Sequence, residues 1–123
     1  MVYSNPMPTT HKGGCHCGAV RFDVSTDLTQ AVACNCSICS KAGWRLAFVP
    51  AGQFDLVSGE EHLTDYQFGH KRIRHLFCRT CGVRSFSRGT APDGSPTVAV
   101  NVRCLDGVDA DALETIAFDG KSL

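Results

Sequence analysis

The chain has 123 residues, enough for one domain that buries its own core without covalent staples. Apolar residues make up 43% and charged residues 20%, which is a globular composition and excludes a disordered tail or linker. Twelve Lys and Arg balance twelve Asp and Glu, and a formal charge of zero argues against a protein whose main work is gripping a polyanion.

Residues 1–11 have neither a charged start nor an apolar stretch of the secretory kind. They read as an N-terminal arm, ahead of one domain over residues 12–123. No run of about 18 apolar residues follows, so no membrane span is expected and the chain reads as cytoplasmic. From residue 19 to 24 apolar side chains alternate with a period of two. Strand-length runs follow at 29–33, 46–49, 54–57, 63–68, 73–77, 84–87, 97–102 and 115–118, several rich in Val, Phe or Thr. Gly13-Gly14, Pro50-Ala51-Gly52, Ser58-Gly59 and Pro92-Asp93-Gly94 punctuate them. Only residues 109–113 look helical, for a single turn. The expected class is mostly β, a sandwich or folded sheet of short antiparallel strands.

Charge is segregated along the chain. Between residues 66 and 92 stand Lys71, Arg72, Arg74, Arg79, Arg84 and Arg88 with no acid, and from 105 to 119 there are acids but no Lys or Arg. The plain interpretation is two solvated faces. The sharper one is a positive field beside an anionic site.

Eight cysteines dominate the chemistry. In a reducing compartment, clustered thiols are read first as metal ligands. Three clusters occur: Cys15-His16-Cys17, Cys34-Asn35-Cys36-Ser37-Ile38-Cys39, and Cys78-Arg79-Thr80-Cys81, with Cys104 apart. A two-residue gap turns both sulfurs toward one ion, and Gly82 directly after Cys81 supplies the permissive backbone such a turn needs. The doublets Cys15/Cys17 and Cys78/Cys81 add up to the four ligands of a closed structural zinc, tying together chain segments more than sixty residues apart. Cys34, Cys36 and Cys39 are left with three sulfurs. Either that site stays open, or Cys104 or a histidine closes it. An open three-thiolate zinc is a weak Lewis acid, poor at making hydroxide, and suits an incoming soft thiolate better.

Three ordered motifs resemble one known family. Gly14-Cys15-His16-Cys17-Gly18 with Ala19-Val20-Arg21-Phe22 is similar to the opening motif of the glutathione-dependent formaldehyde-activating enzymes. Cys34-Asn35-Cys36-Ser37-Ile38-Cys39-Ser40-Lys41 and Phe77-Cys78-Arg79-Thr80-Cys81-Gly82 are similar to their second and third. Asn101-Val102-Arg103-Cys104-Leu105-Asp106 and Phe118-Asp119-Gly120 also resemble this family, notably its centromere protein V branch. The resemblance implies an Mss4-like fold of short antiparallel strands organised around two zincs per chain. It implies a structural zinc on Cys15, Cys17, Cys78 and Cys81 and a substrate-binding zinc on Cys34, Cys36 and Cys39. The implied activity is that of a carbon–sulfur lyase joining glutathione, or a related thiol, to formaldehyde or another small aldehyde.

Several residues carry a sharp and a plain interpretation. Lys41 and Arg45 follow the trio and would suit the carboxylates of glutathione; otherwise they are ordinary surface cations. His75 is a proton shuttle or a packed strand histidine. His16 is a spectator between ligands. Trp44 packs on the second motif or walls a pocket, and Cys104 reads as a small buried hydrophobe. Two rival functions remain: a non-catalytic zinc-binding interaction module using residues 71–88, and a thiol–disulfide redox protein.

Overall fold

The computed structural model describes residues 9–122. It contains ten strands: β1 (Thr9–Gly14), β2 (Arg21–Thr26), β3 (Gln30–Cys34), β4 (Leu46–Pro50), β5 (Phe54–Ser58), β6 (Leu63–Tyr66), β7 (Arg74–Cys78), β8 (Phe86–Thr90), β9 (Pro96–Asn101) and β10 (Glu114–Phe118). A single short helix, α1 (Ser37–Ala42), lies between β3 and β4. The strands form a three-stranded sheet, β1-β2-β5, and a seven-stranded sheet, β10-β3-β4-β9-β8-β7-β6. The expected mostly β class holds.

The core fills the space between the two sheets. Phe22 of β2 stacks on Phe54 of β5 at 5.2 Å, and both meet Phe86 of β8, at 6.2 and 4.6 Å. Val20, Val24, Val98, Val100, Val102 and Leu76 complete it, all nearly sealed from solvent. Each such side chain stabilises the fold by about 1.5–3 kcal/mol relative to an exposed one.

Strand alternation then decides what the far side of the large sheet looks like. Leu76, Phe86, Val98 and Val100 point into the core, so their neighbours His75, Ser87, Thr97 and Ala99 face the other way. Several of these outward positions are small (Ser87, Gly89, Ala99) where a two-sided strand would carry Val or Ile. Their side is therefore hollowed out.

Four details depart from the sequence pattern. Thr9, Thr10 and His11, expected in the arm, belong to β1, which pairs with β2 along its full length; residues 1–8 of the arm lie outside the described residues. That strand carries no apolar alternation to betray it. The helical turn expected at 109–113 is a short 3-10 turn over Ala110–Ala112, capped by the Asp109 carboxylate accepting from the Asp111 amide. The true helix, α1, was masked because six residues are too few to show a 3.6 period. And not every strand pair is antiparallel: β10 runs parallel to β3, with Phe118 opposite Cys34.

Three of the six cations in the run are engaged. Arg74 bonds Asp65 at 2.9 Å, Arg84 lies over the rings of Tyr66 and Phe77, and Arg88 lies over Phe54 and Phe86. Among the described residues no helix is long and apolar enough to cross a membrane.

Candidate metal centres

Cys15 and Cys17 sit in the hairpin loop between β1 and β2, while Cys78 ends β7 and Cys81 lies in the turn that follows it. Each knuckle closes on itself. The Gly18 amide donates to the Cys15 carbonyl at 3.2 Å, and the Gly82 amide to the Cys78 carbonyl at 2.7 Å. Both glycines are left-handed, at φ 84° and 78°, a conformation that L side chains rarely adopt. The amides of Val20 and Thr80 point at the Cys15 and Cys78 sulfurs, 3.3 and 3.4 Å away.

The four sulfurs converge. Sγ of Cys17 lies 3.7 Å from Sγ of Cys15 and 3.7 Å from Sγ of Cys78, and all four lie within 4.8 Å of one another. A tetrahedral zinc with sulfurs at about 2.3 Å requires edges of roughly 3.8 Å, so this donor set fits that ion. The spacing is far beyond a disulfide bond of about 2.05 Å. The protons are shared unequally. Amides of Cys17 and Val83 hold the Cys81 thiol down to about 6. The Ala19 amide also favours ionised Cys17, but burial and the thiols of Cys15, Cys78 and Cys81 outweigh it, pushing Cys17 up to about 11. Four crowded thiols cannot all ionise without a cation among them.

The second group is Cys34 at the end of β3, Cys36 at the N-cap of α1, and Cys39 within α1, their sulfurs also within 4.8 Å of one another. Among the described residues no fourth Cys, His, Asp or Glu atom joins them. Cys104 lies elsewhere, its sulfur 3.7 Å from the Arg84 carbonyl and packed against the main core, so the alternative in which it closes the trio does not hold. His16 is exposed and joins neither group.

Asn35 fastens the chain end beside this trio. Its amide donates to the Phe118 carbonyl at 3.2 Å and its Nδ2 to Asp119 at 2.9 Å, while its Oδ1 accepts from the Lys121 amide at 3.0 Å. These bonds press Gly120 against the cysteines: a Cβ there would stand 2.5 Å from the Cys34 sulfur. Burial pushes the Cys39 thiol up to about 12, against the Trp44 indole N–H, which favours its ionised form. Burial also acts to raise Cys36, but the amides of Cys39 and Ile38 and the neighbouring thiols bring it below its ordinary value.

The trio lines a cavity of about 550 Å³ on the hollowed side of the large sheet. Its walls are Trp44, Phe48, Phe68, Ile73 and Phe118, with His75 on the sheet side. His75 is buried and stacks 5.4 Å from Phe68 and 6.3 Å from Trp44. Its Nδ1 pairs with the Tyr66 carbonyl at 3.1 Å, which fixes the Nδ1–H tautomer and leaves Nε2 as the acceptor. Burial lowers its pKa, so the ring is neutral at pH 7.

A second cleft of about 470 Å³ adjoins the first, sharing Ile38 and Phe68. It carries Lys41 and Arg84. Nη1 of Arg84 is buried with no hydrogen-bond partner among the described residues. Arg45, expected beside Lys41, lines neither cavity; its charge acts on Asp111 instead. Arg84, marked in the sequence only by membership of the acid-free run, reaches this cleft because β7 and β8 fold back toward α1.

The family model for the glutathione-dependent formaldehyde-activating enzyme matches residues 10–117. Among solved structures, a Rhodobacter sphaeroides protein from a structural-genomics programme superposes with a TM-score of 0.72 at 35% identity, over 85% of this chain and 99% of that one. With the family match running through all three cysteine motifs and nearly all of the described residues, the chain belongs to the glutathione-dependent formaldehyde-activating enzyme family.

Proposed function

We propose that the protein is a zinc-dependent carbon–sulfur lyase that binds glutathione, or a related small thiol, at the three-cysteine centre. There it adds the thiol reversibly to formaldehyde or another aldehyde. The observation that carries this is the inequality of the two centres: four sulfurs gathered at one, three at the other beside an open cavity. Zinc, when bound by Cys34, Cys36 and Cys39, supplies a site that favours an incoming thiol in its ionised form and holds its sulfur. The structural ion belongs to Cys15, Cys17, Cys78 and Cys81.

The chemistry is balanced without a redox partner. The S–H bond breaks, a C–S bond forms as the carbonyl π bond opens, and the thiol proton ends on the former carbonyl oxygen. The protein's residues position and move these groups. Lys41 and Arg84 hold the carboxylates of the thiol. Neutral His75 takes the proton at Nε2 and returns it to the oxygen. The aromatic walls give the aldehyde carbon an apolar surface beside the three cysteines. We place it in the cytoplasm, where thiols stay reduced and available as metal ligands.

The test is metal content and spectroscopy. The protein should bind two metals, and glutathione should perturb the spectrum of cobalt at only one of them. Cys36→Ser should lose that metal and the glutathione response while keeping the other metal and the fold. Millimolar glutathione leaving the cobalt spectrum unchanged would falsify the proposal.

A further inference from the structure

We infer that the aldehyde this protein handles carries an apolar chain of several carbons, and that the cavity beside Cys34, Cys36 and Cys39 is built to hold it. This rests on the thiol-binding function proposed above and adds the class of its second substrate.

Two neighbouring spaces of opposite character carry the inference. The three cysteines line only the apolar cavity, whereas Lys41 and Arg84 line only the adjoining cleft. Ile38 and Phe68 belong to both and form the divide. A thiol with its sulfur at the trio can send its anionic end across that divide to the two cations. It gains nothing by laying carboxylates and amides against Phe48, Ile73 and Phe118, where they would go unpaired. Apart from the cysteines, the polar side chains in the apolar cavity are few: His75, Ser87, Thr90, Thr97 and the indole N–H of Trp44.

The carbon bonded to sulfur must therefore sit in the apolar space, and so must whatever that carbon carries. Formaldehyde brings no substituent. A molecule of its size fills a volume near that of one or two waters, at about 30 Å³ each, against roughly 550 Å³ of cavity. The space is a product of sequence: Ser87, Gly89 and Ala99 are small on the floor. Its rim keeps Phe48, Phe68, Ile73 and Phe118 exposed by 55%, 40%, 46% and 46%. Four large apolar side chains at one mouth are a surface that an apolar ligand covers, beside the atoms that would react with it.

The experiment uses the zinc-loaded full chain and a series of S-alkylglutathiones from S-methyl to S-hexyl, which carry the product's carbon–sulfur bond but do not turn over. Affinity, read by calorimetry, should tighten about fourfold per methylene. Catalytic efficiency with glutathione and aldehydes from formaldehyde to hexanal should climb in the same way. Phe48→Ser should flatten the slope of both series. Ala99→Leu, which fills the floor, should cut off the longer members. Slopes are compared, so a uniform loss of activity in a variant does not imitate the result. A flat or falling series in a protein that binds glutathione and turns over formaldehyde overturns the inference and leaves the proposed function standing. Absence of any glutathione response at the metal overturns both. A dimer in sedimentation that Phe48→Ser dissociates assigns the rim to a second copy of the chain and also overturns it.

Discussion

His75 shows how one side chain can be committed to a charge state by its surroundings. Its ring lies between Phe68 and Trp44, with Nδ1 spent on the Tyr66 carbonyl. Burial lowers its pKa first of all; the nearby Arg84 acts in the same direction, while the Tyr66 bond and Asp65 oppose. The folded protein thus binds a proton at this ring less readily than the unfolded chain, whose His titrates near 6.5. The stability this contributes is complete above pH 6.5 and is lost as the pH falls toward the lower folded value. Denaturation at pH 7.5 and 6.0 should therefore show the wild type losing more stability than His75→Gln over that interval. An equal loss in both proteins would remove His75 as the cause. The seven cysteines that gather were legible beforehand because ligand chemistry enforces short local spacings. Arg84 was not, nor was the role of Gly120, because each acquires its neighbours only through long-range pairing.

At the next scale, the pairing of β10 with β3 carries the C-terminal segment to the trio. Parallel register sets Phe118 opposite Cys34, and Asn35 then bonds Phe118, Asp119 and Lys121 in turn. Gly120 is where the two elements touch most closely. An added methyl would have to displace Cys34 and Cys36, its Cβ meeting them at 2.5 and 3.2 Å. Gly120→Ala should reduce the second-centre metal to a fraction of one equivalent and leave the first centre full, as metal analysis will show. Retention of two equivalents would mean the turn yields instead. Nine of the ten strands stand near their predicted places because alternation and turn residues mark them. β1 escaped notice since an edge strand of Thr, His, Lys and Gly needs only its backbone to pair, and α1 since six residues ended by the left-handed Gly43 show no helical period.

For the whole molecule the first group of cysteines is placed to clasp the two sheets together when it holds its ion. Cys15 and Cys17 belong to the hairpin of the small sheet, Cys78 and Cys81 to the end of β7 and the turn after it in the large one, and Cys15 and Cys78 are buried in the shared core. The second centre rests on a separate, smaller cluster around Trp44, Leu46 and Ala99. Graded chelation should empty the second centre first with the far-ultraviolet dichroism unchanged. Removal of the other ion should coincide with loss of the fold, since structural zinc binding is folding energy. Simultaneous loss of both ions and the fold would show that the centres are energetically one.

The order of ligands along the chain also matters. The trio falls between the two halves of the clasp, nested inside the loop that the outer four cysteines close. If chelation empties the trio while the fold stays intact, its chemistry is free to drift without endangering the scaffold. A descendant that loses a sulfur from the inner set inherits a folded shell with a vacant pocket, free to be recruited for another ligand, whereas one that loses a sulfur from the outer set leaves nothing for selection to reuse.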